Sequence, residues 1–158
     1  MIKKSKKQGF TLIELLVVIA IIGLLATIVM VSLNTARTKA RDARRKADLA
    51  TLATAIEMYN NTTGYYPKLA TAVASTKVLC DAGSRWIIST PALDAIYMSK
   101  QPCDPTESAY HYYYISDTNG TKYELAAFME NDTADATNDG GNNATYYEVG
   151  TDLSLVAR

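Results

Sequence analysis

The hydrophobic pattern of the chain begins with one long apolar segment. From Phe10 to Val31 there are 22 residues, and Glu14 is the only charged one among them. At a rise of ~1.5 Å per residue, a helix of this length spans ~33 Å, which is enough to cross the ~30 Å hydrocarbon core of a bilayer. Residues 10–33 are therefore predicted to form a membrane-spanning helix.

The helical pattern continues through residues 34–60, but on one face only. Small residues recur at steps of four and three, and larger apolar residues then widen the stripe: Ala36, Ala40, Ala43, Ala47 and Ala50, joined by Leu49, Leu52, Ala53, Ile56 and Tyr59. Most charged residues of this part fall off the stripe, namely Arg37, Arg41, Arg44, Arg45 and Asp48. The pattern predicts one continuous helix from Phe10 to about Asn60, with an amphipathic second half that buries its apolar face.

The period of the pattern changes to two in the C-terminal third. Residues 111–116 and 122–129 are rich in aromatic and β-branched residues, which favour strands, and an Asn-Gly turn signal lies between them. A third strand is predicted at 146–149. The predicted fold class is therefore α+β, with a long N-terminal helix whose second half packs on a small antiparallel sheet.

The rest of the head, residues 61–158, has a weaker pattern. Short helices are predicted at 69–79 and 91–98, and residues 131–143 are predicted to form a polar loop. Pro102 and Asp104-Pro105 indicate turns.

The zero net charge of the chain hides three zones of different sign. The first nine residues carry four lysines and no acid, and residues 34–48 carry six basic and two acidic residues. Residues 49–158 carry six basic and thirteen acidic residues, so the head is acidic. Lysines before the membrane segment favour a cytoplasmic N-terminus, while the basic residues after it oppose that orientation. An acidic head argues against nucleic acid as its partner.

The junction between leader and apolar segment is specific. Residues Lys7-Gln8-Gly9-Phe10-Thr11-Leu12-Ile13-Glu14 resemble the class III signal peptide of type IV pilins and type II secretion pseudopilins. The resemblance implies that a prepilin peptidase cuts after Gly9, removing the leader 1–9, and methylates Phe10. Because the small residue precedes the apolar segment, the hydrophobic helix survives this cut, unlike that of an ordinary secretory signal.

The resemblance also implies where the protein works. A subunit of this family is a single-pass protein of the inner membrane with a cytoplasmic N-terminus. It then joins an extracytoplasmic homo-oligomeric filament built on an inner-membrane assembly platform. The Asp104-Pro105 turn and the tyrosine-rich strands are similar to those of the major pseudopilin.

Glu14 is the candidate assembly residue. A carboxylate within a membrane segment is costly unless it is paired. The expected partner is the Phe10 amine of a neighbouring subunit, a pairing that the family resemblance also implies. The alternative is a glutamate satisfied by its own helix N-terminus and by headgroup water.

Two further sites are predicted in the head. Cys80 and Cys103 are the only cysteines, and an extracytoplasmic location favours a disulfide between them; two free buried thiols are the alternative. Major pseudopilins bind calcium in a loop near residues 131–141, and oxygen ligands suit that ion. The candidate calcium ligands are Asp132, Asp135, Asn138 and Asp139, and the alternative is a solvated turn without a cofactor.

These features lead to a structural function. The chain carries no nucleotide-binding loop, metalloprotease motif or nucleophile elbow, so no enzyme is expected. The expected function is that of a subunit of a type IV pilus or a type II secretion pseudopilus. The competing hypothesis is a membrane-anchored extracytoplasmic binding module that never polymerises, which would need neither Glu14 nor the Gly9-Phe10 junction.

Overall fold

The fold is taken from a computed structural model that describes residues 10–68, 93–106 and 108–155. A long helix is followed by a short helix, two strands, a second short helix and a third strand. Their bounds are α1 Leu12–Thr63, α2 Leu93–Ile96, β1 Tyr112–Ser116, β2 Tyr123–Phe128, α3 Thr133–Asn138 and β3 Tyr146–Gly150. The predicted α+β class, with one long N-terminal helix and a small antiparallel sheet, is confirmed.

The contacts of the chain divide it into two units, with the boundary between Arg37 and Thr38. In the first unit, every large apolar side chain of residues 10–33 is exposed, from Phe10 at 88% to Leu33 at 46%. The most apolar window of α1 has a mean hydropathy of 3.0, and none of it is buried within the chain. This part of α1 is long and apolar enough to cross a membrane.

The second unit contains a three-stranded antiparallel sheet in the order β1-β2-β3. The register places Tyr114 and Val149 on either side of Leu125. These residues belong to the face of the sheet that joins the hydrophobic core. The core also takes in the second half of α1, through Leu49, Leu52, Ala55, Ile56 and Tyr59. Packing of α1 on the sheet therefore organises the head.

The turn between β1 and β2 follows from its sequence. Asp117 accepts hydrogen bonds from the backbone N–H groups of Thr121 and Lys122, and Gly120 adopts φ +70°, a conformation that glycine enters without strain. A Cβ on Gly120 would lie 2.8 Å from the Tyr66 carbonyl oxygen, and Tyr66 N–H donates to Gly120 at 2.8 Å. Glycine at this turn therefore lets the chain after α1 dock on the sheet.

Several predicted bounds need correction. The three strands lie within one residue of their predicted ends, but residues 131–143 are not all loop, because Thr133–Asn138 forms α3. The helix predicted at 91–98 is described only as Leu93–Ile96, and the one predicted at 69–79 lies outside the described residues.

The buried face of α1 also differs from the predicted stripe. Leu49, Leu52, Ile56 and Tyr59 are buried as expected, but the five alanines from Ala36 to Ala50 are all exposed. Asp42 and Arg45, which are 1% and 0% exposed, continue the buried face instead. The prediction that Arg45 lies off the buried face was wrong, because charged partners from elsewhere in the head meet it there.

Candidate functional site

The start of α1 is closed by a reciprocal pair of polar side chains. The Thr11 N–H and hydroxyl both donate to Glu14 Oε2, at 2.8 and 2.7 Å, and Glu14 N–H donates to the Thr11 hydroxyl at 3.3 Å. This is the capping box of a helix N-terminus, which the sequence Thr-x-x-Glu encodes. The Thr11–Glu14 spacing is visible in the sequence, but the capping box was not predicted from it.

Apolar side chains surround this pair. Glu14 lies in an open groove with Phe10, Ile13, Val17 and Val18. Within one chain, its carboxylate accepts hydrogen bonds from the Thr11 N–H and hydroxyl groups. Contacts inside a single chain do not test the pairing of Glu14 with the Phe10 amine of another subunit, so that pairing stays a prediction. Gly9 lies outside the described residues.

A buried charge cluster lies in the second unit, where α1 meets the loops of the head. Arg45 donates to both oxygens of Asp104, at 2.7 and 3.0 Å, and to Asp42 at 2.8 Å. It also donates to Thr106 Oγ1 at 2.8 Å and lies 2.7 Å from Glu130. An unpaired buried charge is strongly destabilising, so the Arg45 guanidinium group needs these partners. Arg45 is the residue that all the other members of the cluster contact.

The carboxylates of Asp104 and Glu130 are held in their ionised form. Burial raises the pKa of Asp104, but hydrogen bonds from Arg45 and Thr106 outweigh it and lower that pKa overall. The hydrogen bond from Arg41 and the further one from Arg45 lower the pKa of Glu130 to about 2. Asp104 and Glu130 therefore stay charged at neutral pH.

Asp42 ties the helix to the segment before α3. Its carboxylate accepts hydrogen bonds from the backbone N–H groups of Glu130, Asn131 and Asp132, at 3.0, 2.8 and 3.1 Å. Arg41 on the same turn pairs with the Glu130 side chain. Several of the six basic residues in the 34–48 part of α1 are therefore paired within the chain, including Arg44 with Asp48 at 3.6 Å.

The four candidate calcium ligands have different hydrogen-bond and ion-pair partners in the structure. Asp132 and Asp135 both bind the Lys46 ammonium group, and the Asn138 amide donates to the Ala134 carbonyl oxygen. Asp139 accepts from the Gly141 and Glu148 N–H groups. Among the described residues, no three histidine, cysteine or acidic side chains are arranged to hold a metal ion.

Cys103 takes part in a disulfide bond, and no cysteine among the described residues is free. Cys103 is half-buried one residue before Asp104, and Cys80 lies outside the described residues. The Cys80–Cys103 bond stays a prediction.

Comparison with known proteins identifies the family. Residues 4–30 match the prokaryotic N-terminal methylation motif, and residues 32–145 match the family of type II secretion system protein G. The chain belongs to the type II secretion system protein G family. The protein G match covers the second half of α1, the charge cluster and strands β1 and β2, and it ends one residue before β3.

Curated relatives align with about two thirds or more of this chain. It is 30% identical over 118 residues to type II secretion system core protein G of Vibrio cholerae, which covers 70% of this chain and 73% of the relative. The core protein G of Escherichia coli K12 is 29% identical over 114 residues, covering 67% and 71%. That of Pseudomonas aeruginosa is 30% identical over 115 residues, covering 70% and 75%. No solved structure matches.

Proposed function

We propose that this chain is a structural subunit of a type II secretion pseudopilus that polymerises through the first half of α1. The observation that carries the proposal is the 10–33 segment, whose apolar side chains are all exposed in a chain that belongs to the protein G family. Burying one such side chain is worth about 1.5–3 kcal/mol, so the segment needs an apolar environment outside its own chain. The bilayer provides it before assembly, and neighbouring subunits provide it in the filament.

The N-terminal segment also indicates how the chain is cleaved and methylated and where in the cell it is located. The methylation-motif match at residues 4–30 supports cleavage after Gly9 by a prepilin peptidase and methylation of Phe10. The mature chain then sits in the inner membrane with its N-terminus at the cytoplasmic side and its head outside the cytoplasm. The inner-membrane assembly platform extracts it into the filament. We assign the chain no catalytic role.

Glu14 is proposed to switch partners during assembly. In the separate subunit, Thr11 satisfies its carboxylate. In the filament, the positively charged Phe10 amine of the next subunit takes that place and fixes the axial register.

The test compares Glu14→Ala with Thr27→Ala, which also removes a polar side chain from the membrane segment. The Thr27 hydroxyl donates to the Leu24 carbonyl of its own helix, so its loss should leave assembly intact. Glu14→Ala should enter the membrane as well as wild type and be processed to start at Phe10, as N-terminal mass analysis would show. Its incorporation into filaments, measured by shearing and immunoblotting, should fall at least tenfold.

Two outcomes would contradict the proposal. Normal filament yield from Glu14→Ala would remove the pairing role of Glu14. A wild-type chain that is processed but never found in filaments would favour the membrane-anchored binding module.

A further inference from the structure

The Lys46 ammonium group occupies a cation site made by the chain itself. It forms ion pairs with the carboxylates of both Asp132 and Asp135. It also lies 5.8 Å from the centre of the Tyr147 ring. Burial alone lowers the pKa of Lys46, but its bonds to the two aspartates more than offset this and raise it. The same interaction lowers the pKa of Asp132. The lysine therefore stays charged at neutral pH.

Asp42 reinforces this contact from one turn earlier on α1. Residues four apart lie on the same side of a helix. Asp42 holds the backbone N–H groups of residues 130–132, and Lys46 holds the side chains of residues 132 and 135. These two side chains together attach the α3 segment, residues 130–143, to α1.

The far end of the α3 segment is closed by carboxylates and backbone N–H groups. Asp139 accepts from Gly141 N–H at 2.8 Å and from Glu148 N–H at 2.7 Å. Glu148, which is 2% exposed, accepts from Asn142 N–H at 2.9 Å. A Cβ on Gly141 would lie 1.6 Å from Glu148 Oε2, so only glycine lets the loop wrap this carboxylate.

We propose that Lys46 replaces calcium in this chain as the cation that holds the α3 segment, so that the head folds stably without a bound metal ion. Calcium takes about six to eight oxygen ligands at about 2.3–2.6 Å. An ion bound by Asp132 and Asp135 would have to displace the Lys46 ammonium group or lie against it, and like charges repel at such distances. Asp139 and Glu148, the carboxylates at the far end of the segment, each accept backbone N–H groups.

The test uses the full-length chain, purified in detergent, with its unfolding temperature measured in a chelator and in millimolar CaCl₂ or MgCl₂. Wild type should unfold at the same temperature in all three. Lys46→Met keeps much of the apolar stem but removes the charge, and should lower the unfolding temperature by about 2–5 °C in the chelator. Lys46→Arg should restore most of the loss.

Lys39→Met is the matched control. Lys39 is exposed, lies two turns from Lys46 on α1 and lines the same surface notch. Within the described residues it makes no hydrogen bond or ion pair and acts on Asp132 only through its charge at longer range. Its substitution should therefore change the unfolding temperature much less than Lys46→Met does. Hydrogen exchange should show the amides of residues 130–132 protected in chelator in wild type and in Lys39→Met, and exposed in Lys46→Met.

Three results would overturn the proposal. The first is a wild-type unfolding temperature that rises with CaCl₂ but not with MgCl₂. The second is fast exchange of the 130–132 amides in chelator that calcium slows. The third is a Lys46→Met variant that behaves like Lys39→Met.

Discussion

In the first part of α1, residues 12–33 expose apolar side chains, whereas further along the same helix Asp42 and Arg45 are buried charges. Both arrangements reverse the usual rule for a soluble protein, in which apolar groups are inside and charges outside. They differ in where their partners lie. The buried charges find theirs within the head, from Asp104 to Glu130. The exposed apolar side chains find none among the described residues.

The difference separates two tasks within one helix. A segment whose partners lie outside the chain suits transfer from lipid to a filament, because its burial is complete only in another environment. A segment whose charges are fully paired inside the chain suits a head of fixed shape. Variants in the two segments should therefore affect different measurements, with assembly changing in one case and head stability in the other.

The largest expected effect on stability is that of Arg45→Met. The variant leaves Asp42, Asp104 and the mostly buried Glu130 without their shared cation, and breaking a buried pair in this way costs about 3–5 kcal/mol. Chemical denaturation of the full-length chain in detergent should show this loss. Arg37→Met, at an exposed position on the same helix, should change stability by less than about 0.5 kcal/mol. Equal midpoints for the two variants would show that the cluster does not stabilise the head.

The next largest effect concerns the disulfide. A bond between Cys80 and Cys103 closes a loop that should add roughly 3 kcal/mol to head stability. Cys103→Ser should lose about that amount, and reductant should lower the stability of wild type but not of the variant. Intact mass should rise by two hydrogens on reduction of wild type. Two thiols that alkylate without reductant would refute the bond.

Pattern alone predicted the elements whose signal is local. The alternating pattern predicted the three strands, the Asn-Gly signal predicted the turn between β1 and β2, and the apolar segment predicted the first half of α1. Leu49, Leu52, Ile56 and Tyr59 were also predicted to be buried, because large apolar residues at helical spacing leave little choice.

Pattern failed where the deciding partner is distant in sequence. Arg45 looks like a surface residue until Asp104, 59 positions away, and Glu130 are brought to it by the fold. The acidic residues of 131–139 were interpreted as candidate calcium ligands, which stays a prediction, and nothing local in the sequence shows that Lys46 contacts two of them. The Thr11–Glu14 capping box is different, since its partners are three residues apart and the signal was overlooked.

A smaller effect, and one that depends on pH, is expected for Glu130→Gln. The folded pKa of Glu130 is lowered from 4.5 to about 2. Its contribution to stability is therefore fully present above pH 4.5 and is lost as pH falls towards 2. The variant should be about 1–3 kcal/mol less stable than wild type at pH 7, with the gap closing at acid pH.

Asp152→Asn is the control for Glu130→Gln. Asp152 has a pKa lowered to about 2 by Lys122 and Ser154, but these contacts lie at the surface, where water screens the ion pair. This variant should show no measurable change. A constant gap between Glu130→Gln and wild type from pH 7 to pH 2 would show that the Glu130 charge is not what stabilises the cluster.

The smallest effect is expected at the start of α1, for Thr11→Val. Valine keeps the shape of threonine but removes the hydroxyl that closes the capping box with Glu14. Loss of an N-cap costs about 1 kcal/mol, and here it should appear only as faster hydrogen exchange in the first turn of α1. The unfolding midpoint of the head should not move, because the head makes its own core.

Thr11→Ser should behave as wild type, since it keeps the hydroxyl. A shift of the head midpoint in Thr11→Val would contradict the separation of the two tasks, and unchanged exchange in the first turn would show that the capping box does not hold the helix start.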